Sequence, residues 1–171
     1  MDRLFYYSKS IDKQAGKGVN ENVKNPDDYT ELNKQANWRK VLSNFYISPF
    51  TYDNKKWNTV EHAFQSKKIE LVDKTIAYQF TMNSKSELGL GDGLAARMKR
   101  KVVLLDDTNL EKWDKIKSNV MKDILYAKFS QNELPKKILL LTNNAELWHA
   151  GGREKPTRQY ELEKVRELLK E

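Results

Sequence analysis

The chain has 171 residues, with 31 Lys or Arg against 24 Asp or Glu, a net charge of +7. That length suits one domain with a full hydrophobic core, and the positive balance points to an anionic partner such as a nucleotide, a sugar phosphate or nucleic acid, although the two signs are interspersed and form no basic tail. The absence of cysteine excludes a disulfide framework, a thiolate nucleophile and a zinc–thiolate site, and His62 and His149 are too few for a histidine-built metal centre.

The opening residues, MDRLFYYSK, lack the apolar core of a signal peptide. No apolar run reaches the ~20 residues that span a bilayer, so the expectation is a soluble protein of the cytoplasm with no membrane partner. Leu4 to Tyr7 is an aromatic run of strand type, an edge or the opening strand of a small sheet. Residues 9 to 37 are polar and rich in Lys, Asn and Asp, and they read as a surface excursion with one helical turn near Tyr29 to Lys34. Gly16-Lys17-Gly18 within it lacks the spacing and the terminal Lys-Ser/Thr of a P-loop and is not read as a phosphate loop.

The stretch from Leu42 to Lys68, LSNFYISPFTYDNKKWNTVEHAFQSKK, is the most informative. Its first half alternates aromatic and polar residues, with turn signals at Pro49 and Asp53-Asn54, which predicts two short strands joined by a turn. Its second half opens a helix. Asn58 or Thr59 can cap it, and Glu61, three residues after Asn58, can reach back to the cap as in a capping box. Glu61, Gln65 and Lys68 then fall close together at helical spacing. Such a group of a carboxylate, an amide and a cation suits either a structural helix start or a site, whereas His62 reads as a structural hydrogen-bonder.

The helix is expected to run to about Val72, with a second piece from Lys74 to Met82. Gly89-Leu90-Gly91-Asp92-Gly93 is GxGxG rather than GxGxxG and follows no buried strand, so it reads as a helix start and not a dinucleotide fold. The four basic residues between Arg97 and Lys101 suit phosphate binding and a solvated helix end equally. Leu110 to Phe129 is the strongest helix: Leu110, Trp113, Ile116, Val120, Met121, Ile124, Leu125 and Ala127 repeat at close to 3.6 residues and predict a wide core-facing stripe. Trp113 reads as core before it reads as a stacking surface. Asn132 and Pro135 open a short helix from Lys136 to Leu141. Leu147 to His149 is strand-like and breaks into Gly151-Gly152, and a terminal helix follows with Tyr160, Leu162, Val165, Leu168 and Leu169 inward. With no repeat and no second domain, the expected class is α+β: a single helix-dominated domain over 1–171, with a small β-sheet and a polar insertion at about 9–41.

LSNFY-x3-F, W-x-T-x-EHAFQ-x-x-K, W-x3-K-x2-VM and AKF, taken together and in this order, resemble the YbiA-like or NADAR family of N-glycosidases. The Ala95-Ala96-Arg97-Met98 segment agrees. The resemblance runs from Phe5 to the terminal helix, apart from the excursion. It implies hydrolysis of a C–N bond to ribose without metal or cofactor, with phosphoribosylamino-pyrimidine intermediates of riboflavin synthesis, or ADP-ribosylated guanine, as substrates. It places the family's essential glutamate at Glu61 and its two important tryptophans at Trp113 and Trp148. Asn44 and Phe45 of the SNF motif, Lys68 and Arg100 fall at matching positions that would orient ribose and phosphate. One departure stands out. Where the family pattern reads Gly-Asp-Gly-Gly after the second tryptophan, this chain reads His149-Ala150-Gly151-Gly152. Either His149 takes part of the acid's role, or substrate choice has shifted, or activity is lost.

The chemistry suits these residue types. Breaking an N-ribosidic bond spreads positive charge over C1′ and the ring oxygen, and a nearby carboxylate stabilises it and orients or deprotonates water. Indoles stack on a planar base, worth ~1–3 kcal/mol each, and Lys and Arg neutralise phosphate. Three functions follow: a glycosidase for a phosphorylated ribosyl small molecule, the same chemistry on ADP-ribosylated nucleotide or nucleic acid, and a non-catalytic binder of ADP-ribose.

Overall fold

The computed structural model describes residues 1–171. In chain order its strands are β1 (Arg3–Tyr6), β2 (Phe50–Tyr52), β3 (Lys55–Trp57), β4 (Glu146–His149) and β5 (Thr157–Arg158). Its helices are α1 (Thr30–Asn33), α2 (Trp38–Leu42), α3 (Val60–Ile69), α4 (Lys74–Tyr78), α5 (Gly93–Met98), α6 (Asp107–Gln131), α7 (Glu133–Leu141) and α8 (Tyr160–Leu169). Helix dominates and the sheets are small, so the α+β class holds. The chain packs as two compact units, one made of Met1–Ser43 with Asn132–Glu171, the other of Asn44–Gln131.

The first unit is built on a three-stranded sheet in the order β1-β4-β5. β1 runs parallel to β4, with Leu4 opposite Leu147 and Phe5 opposite Trp148, and β5 is antiparallel to β4. Strand alternation sorts the side chains. Leu4, Tyr6 and Leu147 are buried, while Arg3, Phe5, Glu146 and Trp148 form the other, more open face. Leu32, Trp38, Val41, Leu42, Ile138, Leu139, Leu162 and Val165 from the helices complete this core. In α8, Tyr160 and Leu168 are exposed rather than inward, because the buried stripe of that helix follows Leu162, Val165, Arg166 and Leu169.

The polar excursion is more than surface decoration. Its Glu21 carboxylate accepts hydrogen bonds from the amides of Phe5 (2.8 Å), Gly16 (2.9 Å) and Gly18 (3.0 Å). It also pairs, fully buried, with the Arg39 guanidinium, which donates onward to the carbonyls of Phe5, Lys13 and Gln14. The amides of the Gly16-Lys17-Gly18 turn thus hold a carboxylate of the chain itself. The helical turn expected near Tyr29 is a 3-10 turn, Pro26–Tyr29, leading into α1, and it buries Tyr29 and Leu32.

In the second unit, β2 and β3 pair antiparallel across Asp53-Asn54, both with positive φ (54° and 58°). That is the type I′ geometry the right-handed twist of a hairpin favours, and Asn and Asp tolerate it. α3 stops at Ile69, three residues before the expected end, and α4 stops at Tyr78. α6 spans the predicted helix, yet its stripe is only half a core: Trp113, Ile124, Leu125, Ala127 and Phe129 are buried, whereas Leu110 is 45% and Ile116 41% exposed. The apolar period thus marks more of the helix than its neighbours cover.

Candidate active site

α3 owes its start to Thr59, not Asn58. The Thr59 Oγ1 accepts from the His62 amide (3.2 Å) and lies 2.7 Å from His62 Nδ1, while His62 Nε2 meets the Leu88 carbonyl at 2.8 Å. With a carbonyl facing Nε2, that nitrogen carries the proton and Nδ1 accepts from the threonine hydroxyl. Burial holds the His62 pKa below its usual value, so the imidazole is neutral. It fills the place a glutamate takes in a capping box, which confirms a structural His62 and corrects the reading of Glu61 as the residue folded back onto the cap.

Glu61 is thereby free to point elsewhere. Its side chain is 6% exposed; Oε1 accepts from Gln65 Nε2 at 2.9 Å and lies 3.8 Å from Arg97 Nη1. Burial raises the Glu61 pKa, against the opposing pull of the Gln65 hydrogen bond and of Arg97, Lys68 and Arg100. Lys68 is pushed the other way: burial lowers its pKa, and Arg97 and Arg100 add to that while Glu61 resists. One carboxylate ringed by Lys68, Arg97 and Arg100 leaves net positive charge, which suits a phosphate or another anion beside the acid. Gln65 contributes a second feature: its Oε1 is buried with no hydrogen-bond partner, an acceptor waiting for a donor.

The SNF segment seats this cluster. The Glu61 amide donates to the Asn44 carbonyl at 3.1 Å, so Asn44 acts here through its backbone. Phe45 lies against the backbone of Gly93, where an added Cβ would come within 2.4 Å of the Phe45 Cα. Asp92 caps α5 through the Ala95 amide (2.9 Å), and Arg100 Nη1 donates to the Arg97 carbonyl (3.0 Å). Trp113 is 5% exposed with its ring 5.0 Å from that of Phe64, a core indole as its position in the helix period implies.

Trp148 and His149 stand on β4, in the first unit. Trp148 Nε1 donates to Glu146 Oε1 (2.9 Å), its ring is stacked on Phe5 (5.8 Å, 16°), and the Arg3 guanidinium lies 5.6 Å from its centroid. His149 meets the Tyr6 ring edge-on at 5.8 Å. Of the candidate residues, then, Glu61, Asn44, Phe45, Lys68, Arg100 and Trp113 belong to the second unit, with the first four and Arg100 tied by direct or electrostatic contact around α3 and α5.

Two residues within the recognised motif segments carry chemistry that the sequence analysis assigns to neither of them individually. Arg97 is the cation nearest Glu61, placed there by the packing of α5 on α3. Lys128 is fully buried on α6, with Nζ 4.6 Å from the Phe129 ring centroid and 5.6 Å from that of Tyr46, and burial lowers its pKa to about 7. In the sequence Lys128 stands within the AKF motif, at an otherwise apolar position of the α6 period. No three His, Asp or Glu side chains are grouped as metal ligands.

The model of the NADAR domain family matches residues 31–155. N-glycosidase YbiA of Escherichia coli (strain K12) is 31% identical over 139 residues, covering 75% of this chain and 80% of that one. N-glycosidase YbiA of Shigella sonnei (strain Ss046) is 32% identical over the same length and coverage. The NMR structure of E. coli YbiA superimposes with a TM-score of 0.53 at 23% identity, over 99% of this chain and 84% of that chain, a likeness of fold. No helix of the chain is long and apolar enough to cross a membrane.

Proposed function

The chain belongs to the NADAR domain family, and from that membership we propose that it hydrolyses the N-glycosidic bond between a ribose phosphate and an amine or base, in the cytoplasm and without a metal. The substrate proposed is a phosphoribosylamino-pyrimidine intermediate of riboflavin synthesis. What supports this reading is the environment of Glu61: a buried carboxylate with one oxygen tied to Gln65 and the surrounding charge positive from Lys68, Arg97 and Arg100.

Glu61 acts as its ionised form. It stabilises positive charge developing at C1′ and orients the water that attacks there. Low exposure strengthens that interaction by excluding solvent. Gln65 fixes the carboxylate, and its unpartnered Oε1 accepts from the water or from a ribose hydroxyl. Arg97, Arg100 and Lys68 take the phosphate, the arginines through planar forks. Because burial raises the Glu61 pKa, the acid limb of the rate profile is expected above the ordinary carboxylate range near ~4.3.

A second substrate, ADP-ribosylated guanine in nucleotide or nucleic acid, is favoured by the run Arg97, Lys99, Arg100 and Lys101, in which Lys99 and Lys101 are exposed. One assay separates the readings. Wild type and Glu61→Gln are incubated with EDTA and either the phosphoribosylamino-pyrimidine or ADP-ribosyl-guanine, free and DNA-linked. Release of ribose 5-phosphate or ADP-ribose that falls at least ~100-fold in Glu61→Gln names the substrate. Tight ADP-ribose binding with no release from any substrate would replace the enzyme by a binder.

A further inference from the structure

The loop that leads into α5 is held from the head of α3. His62 Nε2 donates to the Leu88 carbonyl at 2.8 Å, and Asn58 Nδ2 donates to the carbonyls of Gly91 at 2.7 Å and Leu90 at 3.4 Å. Both side chains are buried. Three carbonyls in a span of four residues thus meet two side chains that flank Thr59, the cap of α3. Buried backbone acceptors need such partners, because one left unanswered costs about as much as a lost hydrogen bond.

This hold reaches the carboxylate through α5. At Gly89 an added Cβ would stand 2.0 Å from the Thr81 carbonyl oxygen, and the Gly89 amide donates to Ser86 Oγ at 2.9 Å, so the loop is tightly seated on its other side as well. Asp92 then caps α5, and Arg97, further along the same helix, brings Nη1 to 3.8 Å from Glu61 Oε1. That separation is longer than a hydrogen bond. The pair therefore does not fix its own geometry, and the distance between the two charges follows from where α5 lies. Since charge attraction falls with distance, a small displacement of α5 changes how strongly Arg97 acts on Glu61.

Asn58 is the member of this clamp that the motif leaves open. In W-x-T-x-EHAFQ it occupies the variable position between Trp57 and Thr59, whereas His62 belongs to the fixed part. It is also released from the capping role its spacing suggests, because Thr59 takes that role. A buried amide placed so close to Glu61 in sequence therefore spends its donors on the loop before α5.

We propose that Asn58 is a positioning residue for the Glu61 site: by holding the Leu90 and Gly91 carbonyls it fixes α5 so that Arg97 stands beside the carboxylate. Its place in the reaction rests on the reading of Glu61 given above. Asn58 touches no reacting atom and acts only through Arg97. The charges that act on Glu61 are Arg97 and Arg100 from α5 and its end, and Lys68 from its own helix.

The test uses the full chain with labelled glutamate carboxyls, as wild type, Asn58→Ala, Asn58→Leu, Arg97→Met and Asn58→Ala/Arg97→Met. Asn58→Leu keeps the volume and removes the donors. The Glu61 carboxyl, identified by the resonance that Glu61→Gln lacks, is titrated by NMR, and substrate release is followed over pH in the same proteins. Burial raises the Glu61 pKa and Arg97 opposes it, so the titration midpoint is expected to rise in Arg97→Met. It should rise in the same direction by a smaller amount in both Asn58 variants, and in the double variant no further than in Arg97→Met. Release by the Asn58 variants should fall more on the acid limb than at pH 8, whereas a mere loss of stability would lower both alike. A Glu61 midpoint at the wild-type value in both Asn58 variants overturns the proposal, as does an additive rise in the double variant. Failure of both Asn58 variants to fold overturns it too, since the contact is then a requirement of the fold. Midpoints that move as expected in a protein that releases nothing from any substrate uphold the hold of Asn58 on Arg97 and remove the glycosidase reading instead.

Discussion

Glu61 has a cost that follows from the same burial that makes it useful. Its folded pKa is raised, so the folded state binds the proton more tightly than the unfolded chain does. By linkage such a group contributes stability below the unfolded carboxylate pKa near ~4.3, and loses it as pH rises through the folded value. At neutral pH the ionised carboxylate is therefore a burden on the fold, despite Arg97, Lys68 and Arg100 around it. Glu61→Gln keeps the shape and still offers an oxygen to Gln65 Nε2. It is expected to raise the thermal midpoint at pH 7 to 8, with the gain shrinking as pH falls towards 4. A midpoint that drops at pH 8, or a gain that does not fade with acid, would mean that the cations outweigh burial. Stabilisation on removing the residue proposed to be catalytic is what the trade-off between activity and stability leads one to expect.

At the scale of elements, the site depends on how α5 lies against the segment that feeds α3. Gly93 is the contact: the atoms an added Cβ would strike are the Phe45 Cα at 2.4 Å and Cβ at 2.7 Å, both attached to backbone that cannot swing aside. Gly93→Ala is therefore expected to destabilise by about 1–3 kcal/mol, the usual cost of overpacking. It should also slow turnover, since Asn44, next to Phe45, holds the Glu61 amide. A urea midpoint and a turnover rate both within error of wild type would show that α5 yields without disturbing α3. Much of this region was legible from sequence. Asp53-Asn54 announces its turn by residue type, and the α6 period is unmistakable. Arg97 beside Glu61 was not, because nothing local records which helix packs on which. Nor was the exposure of Leu110 and Ile116, since a periodic stripe marks a helix face without marking where its partner ends. The hairpin and caps are local chemistry, whereas the site is tertiary.

Across the whole molecule, the first unit is closed by its two ends, with β1 at the start of the chain pairing in parallel with β4 near its finish. Pairing over so long a separation carries a loop-closure cost. The buried Glu21–Arg39 pair is what holds β1 and the excursion in position: it binds the amides of Phe5, Gly16 and Gly18 and the carbonyls of Phe5, Lys13 and Gln14 from residues 18 apart in the chain. No sequence pattern advertises it, because both residues sit in a stretch that composition marks as solvated. Removing one partner of such a pair leaves a buried charge unanswered, which costs about 3–5 kcal/mol. Glu21→Ala is accordingly expected to destabilise by that amount and to expose the amides of Gly16 and Gly18 to rapid hydrogen exchange, while Ala63 and Ile69 of α3 keep their protection until global unfolding. Glu21→Ala/Arg39→Met should be less unstable than the sum of the two single variants, since neither charge is then stranded. Additive losses, or unchanged exchange at Gly16 and Gly18, would instead make the pair incidental and leave the sheet alone to anchor the excursion.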